Sequence, residues 1–131
     1  MDLVFKALSA LFYGSALSTY LGGRLYNTTA PTNATYPYCV VTEVGEGPEY
    51  LLGGDGYEEY DLLFTLYAQE KSSQSIHTYK RSLTALFDDA ELTYAGLTSQ
   101  FIERVSGGRI EEFPQDGVWQ YTIFYEGAYC E

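Results

Sequence analysis

Glu58-Glu59-Tyr60-Asp61-Leu62-Leu63-Phe64-Thr65-Leu66-Tyr67-Ala68 is the stretch that decides the fold. In an extended chain, Tyr60, Leu62, Phe64 and Leu66 fall on one face and Asp61, Leu63, Thr65 and Tyr67 on the other. Aromatic and β-branched residues suit that pleated state, so the spacing predicts a strand over about 57–68. Ser72-Ser73 follow and can cap a helix over about 74–87. Its core stripe is Ile76, Tyr79, Leu83, Leu86 and Phe87, with His77, Lys80, Arg81 and Thr84 facing out.

Upstream, Tyr38-Cys39-Val40-Val41-Thr42-Glu43-Val44 is nearly continuously apolar and reads as a strand buried on both faces. Residues 45–56 between the two strands read as a loop, with Gly and Glu at both ends. Residues 27–37, with two prolines and four threonines, read as another loop. Gly14 and Gly22-Gly23 punctuate the region before it. At the start, Val4, Leu8, Leu11 and Phe12 recur at helical spacing, and Asp2 sits at the favourable end of a helix over about 2–13.

Downstream, strand-like pieces lie near 92–94 and 98–105. Gly107-Gly108 and Pro114-Gln115-Asp116-Gly117 read as turns. A last strand over about 118–127 sends Trp119, Tyr121, Ile123 and Tyr125 to one side, Trp119 with its aromatic neighbours to the core. The order is helix, strand, strand, helix, then two or three strands. It predicts a single α+β domain over 1–131, a mainly antiparallel sheet packed by two helices.

The 131 residues are 46% apolar and 19% charged, enough for one core. The formal net charge of −11, with 7 Lys and Arg against 18 Asp and Glu, argues against tight DNA binding and against anionic membrane. The 14 tyrosines suit half-buried sheets and protein interfaces. Cys39 and Cys130 make no disulfide framework; two reduced thiols are the main reading and a single bridge the minor one. Residues 7–23 are uncharged but interrupted by Ser, Thr, Tyr and Gly, so no membrane span is expected. With Asp2 cancelling Lys6 there is no positive leader region. The sequons at Asn27 and Asn33 read as chance.

Catalysis is poorly supported. The single histidine, His77, lies on the polar side of a helix beside Lys80 and Arg81, and no nucleophile-elbow sequence occurs. Three Cys and His residues in all are too few for a zinc site. The cluster Asp55, Glu58, Glu59 and Asp61 lacks EF-hand spacing. A carboxylate pair of Glu58 with Glu111 or Glu112 would serve hydrolysis only at working distance. Gly53-Gly54-Asp55-Gly56 lacks the lysine and helix of a phosphate loop. No enzyme, metal or cofactor is expected. What remains is contact surface. Tyr50-Leu51-Leu52, an apolar tip, either folds back on its own domain or inserts into a neighbour.

Several stretches taken in order carry a resemblance. They are Leu21-Gly22-Gly23-Arg24-Leu25-Tyr26, then Tyr36-Pro37-Tyr38-Cys39-Val40-Val41, then the long strand from Glu58, and finally Asp116-Gly117-Val118-Trp119-Gln120-Tyr121. Across essentially the whole chain this resembles the small tail-completion proteins of long-tailed bacteriophages, similar in fold to tail terminators. The resemblance implies a homohexameric ring at the head-proximal end of the tail, in the virion and assembled in host cytoplasm. The ring would end tail-tube polymerisation and join the tube protein to the head connector. DNA would pass its lumen without specific binding, and six copies would carry about −66. In such a ring, subunits meet head to tail. The candidate contacts are the 45–56 loop, with Glu49, Tyr50, Leu51 and Leu52, and the 128–131 segment, with Tyr129. The competing reading is a small acidic immunity or inhibitor protein that complements a basic partner.

Overall fold

A computed structural model of the chain describes residues 2–50, 56–69, 74–88, 90, 93–94, 97–105, 109–113 and 117–130. Its elements are α1 (Asp2–Phe12), α2 (Ala16–Leu21), β1 (Leu25–Asn27), β2 (Tyr38–Tyr50), β3 (Gly56–Gln69), α3 (Gln74–Phe87), β4 (Thr93–Tyr94), β5 (Leu97–Arg104), β6 (Arg109–Phe113) and β7 (Val118–Cys130). The strands form one sheet in the order β1-β2-β3-β7-β5-β4, with β6 also paired to β7. Every pair is antiparallel except β1–β2. This is the α+β class, with a mainly antiparallel sheet, that the periodicities predict.

The alternation of β3 sets the core. Tyr60, Leu62, Phe64 and Leu66 are all buried on one face of the sheet. They meet Cys39 and Val41 of β2 and Tyr121, Ile123 and Tyr125 of β7 in the same cluster. The helices cover this face with Val4, Leu8 and Phe12, then Leu17 and Leu21, then Ile76, Leu83 and Phe87. Phe64 lies 4.9 Å from Phe87 and 5.3 Å, edge-on, from Tyr125. Trp119 packs half-buried against the cluster. At the end of α3, the Tyr125 hydroxyl donates to Asp88 Oδ1 at 2.6 Å, and Arg104 pairs with Asp88 Oδ2 at 3.1 Å. One aspartate thereby ties the helix end to two strands.

Several expectations are corrected. Residues 45–50 are not loop: β2 runs on to Tyr50 and pairs with β3 through Glu49–Tyr57 and Tyr50–Gly56, after a bulge between Glu43 and Gly45. Two-sided burial of the first strand holds at Cys39, Val40 and Val41, whereas Thr42 is half-buried. The last strand continues past Gly127 to Cys130, because β3 and β5 both offer it partners there. The Gly107-Gly108 turn lies outside the described residues; on either side of it, β5 and β6 both pair antiparallel with β7.

Between α1 and β2 the glycines do more than punctuate. Ser15 accepts the Ser18 N–H at 3.2 Å and caps α2, a third helix. Gly22 ends it at φ +61°. Beyond it, Arg24 donates to the Pro37 carbonyl at 2.9 Å and the Tyr36 carbonyl at 3.3 Å, which brings β1 beside β2. On α3, Lys80 and Thr84 are half-buried rather than outward. The Lys80 ammonium lies 5.5 Å from the centre of the Tyr121 ring, and the Thr84 hydroxyl bonds to the Lys80 and Arg81 carbonyls.

Candidate functional site

Two regions gather the residues with no evident role in the core. The first is the far end of the β2–β3 ladder, residues 45–50 and 56–59, called the arm below; β7 and β5 continue the sheet beside it as far as Glu58. Its ladder places Glu49 opposite Tyr57, and β7 places Tyr129 opposite Glu58 on one side and Ser99 on the other. Glu49 and Tyr50 on β2 and Tyr129 on β7, chosen from distant parts of the sequence, therefore lie at the same end of the sheet, on the two strands that flank β3. Leu51 and Leu52 lie outside the described residues. The arm carries Glu46, Glu49, Glu58 and Glu59 and no cation.

The second region is the sheet face without helices. Tyr38 stacks on Tyr67 at 4.9 Å, with Tyr36 at 5.3 Å and Tyr26 at 5.8 Å from Tyr38. Burial pushes the Tyr38 hydroxyl above its ordinary range, and the neighbouring phenols of Tyr36, Tyr67 and Tyr26 add to it. The Tyr67 hydroxyl is raised by burial first and then by Tyr36 and Cys39. Beside them lies an open recess of about 440 Å³ lined by Thr28, Thr32, Tyr38, Thr42, Thr65 and Tyr67 among others, with no charged side chain. Further along the same face Phe124 and Val105 are exposed. Sequence reading missed this face because Tyr26 and Tyr36 flank a loop and show no period of their own. The alternation Tyr38, Val40, Thr42 opposite Thr65 and Tyr67 was the available signal.

The chemical candidates are not assembled. Glu58 sits level with Tyr129 on β7, whereas Glu111 sits level with Gln120 and Glu112 with Trp119. Nine residues of strand separate the first two levels, about 30 Å, far beyond the reach of a carboxylate pair. His77 is exposed on α3, as expected. Among the described residues, no three His, Cys, Asp or Glu groups converge in a way that could hold a metal ion. Asp55 lies outside them. Cys39 is free and fully buried, with its thiol pushed up by burial. It is level with Leu66 and Tyr121, about 30 Å along the sheet from the Cys130 backbone, so the two do not bridge within one chain. Among the described residues no helix is long and apolar enough to cross a membrane. Among the described side chains, the arrangement offers an uncharged aromatic face as contact surface.

The fold defined by these elements is a mainly antiparallel sheet with helices on one face. No protein-family profile matches the chain, and neither does any curated protein. Among solved structures it is similar to a chain from the virion of a native gene transfer agent particle, with a TM-score of 0.72 and 9% sequence identity. The match covers 94% of this chain and 90% of that one. At that identity the likeness is one of fold.

Proposed function

We propose that the chain is a non-enzymatic structural subunit of a phage-like virion. In this reading it forms a homohexameric ring at the head-proximal end of the tail, ends tail-tube polymerisation and joins the tube to the head connector. The observation that carries the reading is the fold shared along almost the full length of both chains with a component of a gene transfer agent virion. Similar coverage on both sides leaves little of either chain outside the common fold. The acidic balance is compatible with a lumen through which DNA slides without being gripped.

Disrupting the gene in the phage or prophage that encodes it is the test. Tubes of uncontrolled length, unjoined to heads and rescued by the intact gene, are expected. Particles with normal tails joined to heads would overturn the reading. Purified protein gives a second readout: a ring of six 14.7 kDa chains, about 88 kDa, with a central hole in negative stain. A strict monomer that instead binds one basic protein tightly would favour the inhibitor reading.

A further inference from the structure

We propose that the recess on the helix-free face of the sheet binds a neutral saccharide. The site does not rest on the ring reading and needs one chain only. Tyr38 and Tyr67, opposite each other in the β2–β3 ladder and stacked at 4.9 Å, give it an aromatic wall. Thr42 and Thr65 line it from the same two strands, and the loop after β1 brings Thr28 and Thr32 alongside. That loop is held by its own backbone. The Thr28 N–H donates to the Val41 carbonyl at 2.8 Å and the Ala34 N–H to the Pro31 carbonyl at 3.0 Å. Thr28 takes a left-handed φ of +72°, which a β-branched residue rarely adopts. Outliers of this kind gather at ligand sites.

Thr65 carries the inference. It is only 7% exposed, and among the described residues no other buried side chain is polar without being aromatic. Its hydroxyl makes no hydrogen bond to another described residue, whereas buried hydroxyls are ordinarily bonded. The hydroxyls of Thr42 and Tyr67, on the same recess, are likewise unengaged. The chemistry of the lining selects the ligand. Half of the described lining is threonine and none of it is charged. A phosphate or carboxylate would meet no cation there, in a chain of net charge −11. A cation would meet no carboxylate. Hydroxyls both donate and accept, so they pair with other hydroxyls in either sense. A sugar ring carries such hydroxyls around C–H faces that rest on aromatic rings. The volume of about 440 Å³ lies in the range of small-ligand sites. A proline-rich peptide, by contrast, docks in an aromatic groove, which five threonines interrupt here.

Saturation-transfer NMR on the full chain tests the site. The probes are the methyl glycosides of glucose, galactose, mannose and N-acetylglucosamine, with decaproline for comparison. At least one glycoside should bind with a Kd in the millimolar range, with transfer strongest at the C–H groups of one ring face. Thr65→Val keeps the shape and removes the hydroxyl. It should weaken binding by about fivefold, the worth of one net hydrogen bond. Tyr67→Ala should abolish binding. Phe124→Ser, on the same face but outside the recess, should leave it unchanged, and circular dichroism confirms that each variant folds. No transfer to any glycoside at ~50 mM would overturn the proposal. So would binding that Thr65→Val and Tyr67→Ala leave unaltered, or decaproline binding where the glycosides do not. Each of these outcomes leaves the ring reading standing.

Discussion

Tyr125→Phe removes one oxygen atom and leaves the ring shape intact. Tyr125 is fully buried, and its hydroxyl donates at 2.6 Å to Asp88. A hydrogen bond to a charged group contributes about 1.5–3 kcal/mol. Asp88 keeps Arg104 at 3.1 Å and is partly exposed, so water can reach the freed carboxylate oxygen. The cost therefore falls near the lower end, about 1.5–2 kcal/mol. For a chain of this size that lowers the urea midpoint by about 1 M and Tm by about 5 °C. Urea titration can follow Trp119, the single tryptophan, half-buried against the core. The pH dependence gives an independent sign. Burial first, then the hydrogen bond to Asp88, raise the Tyr125 hydroxyl above its ordinary 10.0. Its stabilisation is then complete below pH 10 and fades as pH rises beyond it, where the unfolded chain ionises first. The variant should lose stability less steeply than wild type in that range. A destabilisation under about 0.5 kcal/mol, with an unchanged alkaline slope, would refute the claim that this bond joins helix to sheet.

Two further outcomes follow from local geometry. Gly22→Ala should cost roughly 1–2 kcal/mol from the left-handed backbone alone, and more if Arg24 gives way, because the new Cβ would sit 2.7 Å from its Nη1; the same urea titration measures it. Cys39, held well above its ordinary 9.0 by burial, should resist thiol reagents in a Cys130→Ser background and react fully once the chain is unfolded. Fast labelling of the folded variant would contradict the burial.

Periodic stretches were legible in the sequence and aperiodic ones were not. The alternation over β3 and the stripe of α3 name both elements nearly to the residue, since each long pattern fits one period. The arm was misread because Gly45, Gly47 and Pro48 are poor strand formers. The ladder with β3 overrides that preference, and Pro48 is tolerable there because the outer side of β2 has no partner among the described residues beyond Val41. Helix α2 has only six residues and β1 only three, too short for any period. β1 exists through its parallel pairing with β2 and the Arg24 bonds across it, which no local window contains. The sequence did mark Glu49, Tyr50 and Tyr129 as contact candidates, and the fold sets them at one end of the sheet.

β7 lies in the middle of the sheet, yet it is made after every other strand. It pairs with β3 from Val118 to Tyr129, and with β5 and β6 on its other side. On the ribosome, Gln69 is joined 61 residues before Cys130, an interval of roughly 3–12 s at ordinary synthesis rates. Throughout it, β3 has a partner on one side only. The nascent chain therefore carries an apolar strand with one open edge, a target for chaperones and for unwanted pairing between neighbouring nascent chains. Any chain halted before residue 118 lacks the strand that joins the two halves of the sheet and cannot take this fold.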